Sequence, residues 1–418
     1  MNRHLFFKIL TVWFLLTQCF PPYFYYIRMG GALCLAVFVG AGFILFPNLL
    51  SRKSIMAMLL YGIVMFFYFW AGNAFFQSIS MVVIPFLSMI SALLMIEYVM
   101  EYDYDYSFTK LILYEVVALN VTMSLISIPQ LIINPNIIRG ASTSGIDRSD
   151  QQVYYWIVSY ATIHGLPFLM APLVFFCRKI KSNRKTFLLW LCFATVLYLI
   201  IFLSNATTAF ILATLMVVAG FLFVFESFNR RNIFKIISVG ILAFALSTPI
   251  VIIPILDAVQ SVLNPRADNY SKIDEMKSKI IYGDYEGDYE IRQDLYKTSK
   301  SLFWESPFLG TDKPQLISNH TFIWDRLALY GIFMIIPLVL VFKLNIKSVY
   351  RNLRHTKVTY VLGVFGFLFL LYMKNEFGSG TWLYGFAILP VLCRYIDFVL
   401  DYPDNKKQKE GYGYKCFV

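Results

Sequence analysis

The chain has 418 residues, of which 58% are hydrophobic and only 15% are charged, whereas about 25% charge is usual for a soluble domain. Its formal net charge of +11 is spread over alternate segments, which argues against nucleic acid as a partner. No Walker A, GxSxG or HExxH motif occurs, and the six cysteines lack disulfide or zinc spacing. ATP hydrolysis and metalloprotease chemistry are therefore disfavoured, and the composition predicts an all-α integral membrane protein.

Long apolar runs predict the spans, because about 20 apolar residues cross roughly 30 Å of hydrocarbon as a helix. The runs are continuous rather than alternating, which favours helices over a barrel. The first is interpreted as a retained span, since no small-residue cleavage site follows Cys19. About twelve spans are expected, at 5–21, 29–50, 54–71, 78–100, 108–132, 152–176, 186–204, 207–226, 233–256, 319–342, 358–374 and 379–400.

The chain divides accordingly into a first group of nine spans over residues 1–256, a long loop over 257–318, three further spans over 319–400 and a tail over 401–418. A shorter loop covers 133–151 within the first group. Lysine and arginine gather in the segments that follow the even-numbered spans, at 52–53, 110, 178–185, 230–231 and 343–357. The positive-inside rule therefore predicts that both termini are cytoplasmic and that both longer loops lie outside.

The long loop contains one segment with helical periodicity. Between Glu290 and Glu305, apolar side chains recur at helical spacing, while Arg292, Tyr296 and Lys300 follow one another at intervals of four. We expect an amphipathic helix on the membrane surface. An acidic and aromatic stretch at 284–290 precedes it without calcium-loop spacing, so contact with a glycan is favoured there over a metal.

After this segment the chain turns at 306–310, Ser-Pro-Phe-Leu-Gly, and re-enters the membrane. Ser318 or Asn319 is the predicted N-cap of the tenth span, which would place His320 in its first turn. The positive end of a helix favours a neutral imidazole, which suits proton abstraction from a hydroxyl. The alternative is that His320 is only an interfacial polar residue.

Several cations are candidates for binding phosphate. Arg292 lies in the long loop, and Arg139 and Arg148 lie in the shorter one, on the face where basic residues are otherwise scarce. Guanidinium groups bind phosphate oxygens in a bidentate manner, although ordinary solvation of a loop is the alternative. Asp325 and Arg326 fall inside the tenth span, where either pairing to another helix or service in an active site would explain them.

These motifs resemble those of the O-antigen ligase and Wzy-type polysaccharide polymerase superfamily. The likeness rests on many spans, a large outer loop late in the chain with Arg292, the segment 306–310, Asn319-His320 opening a span, and its continuation to 329–332, Leu-Tyr-Gly-Ile. The family often has a Ser-Arg pair opening an earlier span, where this chain has Ser204-Asn205. Arg139 is expected to compensate for the missing arginine.

The resemblance implies a GT-C-like helical bundle and a metal-independent glycosyltransferase of the bacterial cytoplasmic membrane, with no cofactor. It would polymerise undecaprenyl-diphosphate-linked oligosaccharide repeat units into O-antigen or capsular polysaccharide, with inversion. His320 would deprotonate or orient the acceptor hydroxyl, and Arg292 and Arg139 would stabilise the departing diphosphate. Arg148, Asn319, Arg326 and Tyr296 are the further substrate-binding candidates. Chain-length regulator and flippase proteins are the expected partners, beside the lipid bilayer.

Two alternatives remain open. An O-antigen ligase, which would transfer a finished glycan to a lipid A core or to protein, has the same class of chemistry, and the sequence barely separates it from a polymerase. A flippase or transporter of lipid-linked oligosaccharides belongs to a different class. Transport would favour cationic residues within spans, discontinuous helices and internal repeats, whereas charge within the spans is sparse here and the long outer loops would be left unexplained.

Overall fold

The computed structural model of the chain describes residues 2–20, 30–52, 54–56, 58–60, 62, 84–134, 137–138, 157–181, 183–204, 206–223, 249–262, 270–271, 273–274, 277–278, 281, 288–311, 313, 316–317, 321–373 and 379–411. The regular secondary structure in these ranges is helical, and none of them contains a strand. The all-α class predicted from the apolar runs is therefore confirmed for this part of the chain.

The helices are named in chain order. They are α1 (Arg3–Cys19), α2 (Gly30–Leu45), α3 (Ile84–Tyr102), α4 (Ser107–Ile133), α5 (Tyr160–Gly165), α6 (Pro167–Lys179), α7 (Arg184–Leu203), α8 (Thr207–Leu222), α9 (Pro249–Val262), α10 (Asp288–Glu305), α11 (Phe322–Asn352), α12 (Lys357–Met373), α13 (Ser379–Leu383) and α14 (Leu389–Gly411). A π-helical segment, Tyr384–Ile388, joins α13 to α14. The bounds of α4, α7 and α12 agree closely with the predicted spans.

Within the described ranges, three helices are long and apolar enough to cross a membrane. They are Ser107–Ile133, Arg184–Leu203 and Thr381–Asp401, the last running from α13 into α14. The shorter apolar helices are Leu33–Leu45, Thr207–Leu222 and Lys357–Met373. These helices give the chain the character of a helical membrane protein. The predicted span at 54–71 lies largely outside the described residues, as does most of the one at 233–256.

The predicted span at 152–176 is wrong in its first part. Residues 157–159 are not helical, and α5 begins only at Tyr160, because the Ser159 side chain accepts the N–H of Thr162 as an N-cap. The N–H of Val158 meanwhile donates to the hydroxyl of Ser127 on α4. Three other helices run well past their predicted ends, α9 to Val262, α11 to Asn352 and α14 to Gly411.

The centre of the bundle is formed by α6 and by the stretch that runs from α13 through the π-helical segment into α14. Every residue of α6 from Pro167 to Cys177 is buried, and so is every residue from Thr381 to Cys393. Helix α6 packs against α7, α8, α12 and α14. A Cβ atom at Gly220 of α8 would lie 2.8 Å from the carbonyl oxygen of Ala171 on α6, so this glycine permits the close approach of two apolar helices.

One end of the bundle collects the basic residues and is called the basic end here. Lys8 of α1 donates to Ser107 at the start of α4, and Arg394 of α14 donates to the carbonyl of Asp103 in the α3–α4 connection. Arg354, between α11 and α12, forms an ion pair with Asp401 of α14. These contacts bring together the starts of α1, α4 and α12 with the ends of α3 and α11. The alternating helix directions agree with those expected from the charge pattern.

Candidate functional site

Helix α10 lies at the opposite end of the bundle from the basic end. The Tyr296 hydroxyl donates to the carbonyl oxygen of Met373 at 3.3 Å. Met373 is the last residue of α12, whose first residue, Lys357, lies at the basic end. Helix α10 buries Ser299, Leu302 and Phe303 and leaves Lys297 and Trp304 exposed. The amphipathic helix predicted at 290–305 is thus confirmed, and its contact with α12 fixes its place on the bundle.

The turn at 306–311 docks against a break in α11. The N–H of Thr311 donates to the carbonyl of Ala328 at 2.7 Å, and the N–H of Ile332 donates to the carbonyl of Pro307 at 2.8 Å. Gly310 and Gly331 have φ of +83° and +67°, in the left-handed region that favours glycine. A Cβ on Gly331 would lie 2.2 Å from the Phe308 carbonyl oxygen. The two segments therefore interlock backbone to backbone.

Because of this break, α11 is not the single straight span predicted at 319–342. It consists of two halves, α11a (Phe322–Phe333) and α11b (Ile335–Asn352), which are inclined to each other by 109°. The left-handed conformation of Gly331 interrupts the helical backbone. At the break, the N–H of Ile332 donates to the Pro307 carbonyl in the turn instead of to a carbonyl of its own helix.

Asp325 joins α11a to α10. Its side chain is 1% exposed, and its Oδ1 accepts the Ser299 hydroxyl of α10 at 2.7 Å. Its Oδ2 accepts the backbone N–H of Thr321 at 2.9 Å. Of the two explanations left open for Asp325, pairing to another helix is therefore present in the structure.

Arg326 faces the main body of the bundle instead. It lies at the centre of an i, i+4 row with Phe322 and Tyr330, and both of these side chains belong to the main hydrophobic core. The guanidinium donates to the Tyr330 hydroxyl at 3.1 Å and lies 5.4 Å from the centroid of the Phe322 ring. The predicted placement of Asp325 and Arg326 on neighbouring faces is correct, and each side chain has its own partners.

A separate small core holds α10 and α11a together. It contains the buried side chains of Leu302, Phe303, Ile317 and Ala328. The Lys300 ammonium also lies 4.9 Å from the Trp324 ring centroid, within cation–π range. Helix α10, the turn and α11a thus form one unit, called the outer unit, which covers residues 288–311, 316–317 and 321–333.

Several predicted site residues fall outside the described residues. These are His320, Asn319, Arg139 and Arg148. Arg292 belongs to α10, one turn before Tyr296, although its side chain is not described. One prediction about His320 is wrong: the helix begins at Phe322 with Thr321 as N-cap, not with Ser318 or Asn319. His320 therefore precedes the cap instead of occupying the first turn.

The sequence analysis missed a buried polar cluster inside the bundle. The Tyr384 hydroxyl, in the π-helical segment, donates to Asn120 Oδ1 of α4 at 2.6 Å, and the side chains of Cys19 and Thr162 lie beside it. Asn120 lies about 20 Å along α4 from the basic end, at 1.5 Å per residue. Glu115, five residues earlier in α4, gave the available signal: an ionisable residue within an apolar span.

The donor sets of the described residues do not suggest a metal centre, since no group of three or more His, Cys, Asp or Glu side chains converges among them. The sequence matches no protein-family model and no curated protein. The family resemblance therefore depends on the motifs between Arg292 and Ile332 and on the hydropathy of the chain.

Proposed function

We propose that this chain is a glycosyltransferase of the bacterial cytoplasmic membrane that polymerises undecaprenyl-diphosphate-linked oligosaccharide repeat units into O-antigen or capsular polysaccharide. The proposal includes a GT-C-like bundle of about twelve spans, with both termini cytoplasmic. One observation supports it most. The two segments that carry the family resemblance on either side of His320, 306–310 and 329–332, contact each other through backbone hydrogen bonds. In sequence, His320 lies between these two segments.

In this proposal, His320 acts as the base at the start of α11a. The positive end of a helix disfavours an imidazolium, and this effect also reaches residues just before the cap. A neutral imidazole can accept the proton of the acceptor hydroxyl as its oxygen attacks the anomeric carbon. The bond from that carbon to the diphosphate breaks, and the electron pair leaves on undecaprenyl diphosphate. A single displacement of this kind inverts the anomeric configuration.

Cations would stabilise the negative charge of the departing diphosphate. Arg292 lies on α10, whose neighbouring turn contacts the end of α12 through Tyr296. Arg326 is a buried guanidinium held by the Tyr330 hydroxyl. A guanidinium already removed from water interacts more strongly with phosphate than a solvated one does. Arg139, Arg148 and Asn319 complete the proposed set of substrate contacts.

The test is complementation of a deletion strain, with the surface glycan displayed on a gel. Wild type should restore a ladder of long chains, and His320→Ala and Arg292→Ala should leave a single repeat unit at matched protein levels. Lys297→Ala is the control, because this exposed α10 lysine pairs with Asp294 of its own helix, and its ladder should be normal. A ladder that survives in the deletion strain would rule out the polymerase.

The same experiment separates the alternatives. Complete loss of surface glycan, instead of a single repeat, would indicate a ligase or a flippase. Two observations favour a flippase, the interruption of α11 and the polar cluster around Tyr384 inside the bundle, because transporters bind substrates near the middle of the membrane between interrupted helices. Tyr384→Phe should impair a flippase strongly and a polymerase of the proposed kind little.

A further inference from the structure

We propose that Asp325 is a positioning residue that fixes the start of α11a, and with it the His320 loop, onto the helix that carries Arg292. This inference rests on the function proposed above. It adds to the site a residue that is expected to contact neither donor nor acceptor, and it names the two bonds through which that residue acts.

The first step concerns the N-cap of α11a. A threonine at this position usually accepts a backbone N–H of the first turn with its own hydroxyl. Here the Thr321 side chain makes no such bond, and its buried hydroxyl oxygen has no hydrogen-bond partner among the described residues. The Asp325 carboxylate instead reaches back to the Thr321 backbone N–H at 2.9 Å. The beginning of the helix is therefore held by Asp325.

The second step concerns the other carboxylate oxygen. A residue that serves only to cap its own helix would direct that oxygen to its own backbone or to solvent. Oδ1 of Asp325 accepts instead the hydroxyl of Ser299, which is on α10 and has 0% exposure. One carboxylate thus joins α10 to the backbone amide that directly follows His320.

The third step is the consequence for chemistry. Arg292 is seven residues before Ser299 on one continuous helix, and His320 is bonded to Thr321. Loss of the Ser299–Asp325 bond would let the His320 loop shift relative to α10 without removing either proposed reacting group. Displacements of about 1 Å in such an arrangement reduce turnover by up to about a hundredfold.

The variant that tests this is Ser299→Ala, which removes one hydroxyl and leaves the Asp325 cap in place. Ser301→Ala is the matched control, because its hydroxyl is on the same helix and donates only to the Thr298 carbonyl of that helix. Purified full-length proteins in nanodiscs would be assayed with lipid-linked repeat units. We expect Ser299→Ala to lower kcat about tenfold with little change in KM, and Ser301→Ala to lower neither.

Hydrogen exchange of the backbone, followed by mass spectrometry, supplies a readout that does not depend on activity. Ser299→Ala should speed exchange in peptides covering 313–324 and leave those from α6 and α12 unchanged. Equal kcat and equal exchange in the two variants would overturn the positioning role. Faster exchange with unchanged kcat would reduce Asp325 to a structural residue. Absence of polymerisation by wild type would overturn the proposed function itself, and with it the catalytic part of this inference.

Discussion

At the scale of single residues, two buried aspartates organise the basic end. Asp103 accepts the backbone N–H groups of Phe108 and Thr109 at 2.9 Å and 2.7 Å, so it caps α4. Asp397 of α14 accepts the N–H groups of Arg354, His355 and Thr356, and so holds the connection that leads into α12 from a different helix. The first turn of a helix has four such donors without partners in its own backbone, and near a membrane water satisfies them less readily.

We predict that Asp397→Ala destabilises the protein by about 3 kcal/mol, because three backbone N–H groups lose their acceptor at once. Asp401→Ala is the control: this partly exposed carboxylate pairs with Arg354 and His355, and such pairs contribute about 1 kcal/mol or less. Thermal unfolding in detergent measures both. Equal shifts for the two variants would contradict the role of Asp397 in holding the connection before α12.

At the scale of elements, the break in α11 depends on a contact between two segments rather than on α11 alone. Apolar helices in membranes tolerate glycine, and an isolated Gly331 would have no reason to adopt a positive φ. The Phe308 carbonyl occupies the space that a Cβ at position 331 would need, and the Leu329 carbonyl does the same at position 310. The angle between α11a and α11b is thus set by the turn.

We predict that Gly331→Ala displaces the turn from the break, because the new Cβ meets a carbonyl oxygen and because the Gly331 backbone, with φ of +67° and ψ of −173°, costs a non-glycine residue about 1–3 kcal/mol. Limited proteolysis should then cut residues 306–317 faster than in wild type. Gly40→Ala is the control, since nothing lies within 4 Å of a Cβ on this α2 glycine. It should be neutral or stabilising. Unchanged proteolysis of Gly331→Ala would contradict the interlock.

At the scale of the whole molecule, the two ends of the bundle differ: one collects the basic residues, and the other carries α10. The starts of α1, α4 and α12 lie at the basic end, whereas α10 and the end of α12 lie at the other end. The proposed function requires the basic end to be cytoplasmic, because the lipid-linked substrate is polymerised on the outer face.

This orientation can be tested at the two ends of α4. Tyr104 lies just before the helix at the basic end and Ile133 is its last residue, and both side chains are about 80% exposed. In a Cys192→Ser, Cys416→Ser background, which removes an exposed native thiol and the thiol of the tail, Ile133→Cys should react with a membrane-impermeant maleimide on intact spheroplasts. Tyr104→Cys should react only after permeabilisation. The reverse pattern would place the outer unit in the cytoplasm and exclude the proposed reaction.

Hydropathy was sufficient to predict α4, α7 and α12, because each is a long apolar run bounded by polar residues. It could not predict the break at Gly331, which arises from contact with a turn twenty residues away. The N-cap of α11a could have been predicted from the sequence. Ser318, Asn319 and Thr321 all suit the position, but only Thr321 has an aspartate four residues later that can reach its backbone N–H.

The candidate site was predicted only in part. The periodicity of α10 and the importance of 306–310 and 329–332 could be read from the sequence, although their contact could not. The partners of Asp325 depend on how α10 crosses α11a, which no local pattern determines. The polar cluster around Tyr384 combines residues from α1, α4, α5 and the π-helical segment. In the sequence, each of them is an isolated polar residue in an apolar run.

The interlocked glycines also bear on how the protein is made. The run from Leu327 to Phe342 carries no charged residue and would enter the membrane as one hydrophobic segment, because the bend of 109° depends on contact with the turn. The turn at 306–310 precedes it in the chain and, in the proposed orientation, has to cross the membrane before it can dock. We therefore expect biogenesis in two stages, in which a straight segment is inserted first and is folded over afterwards.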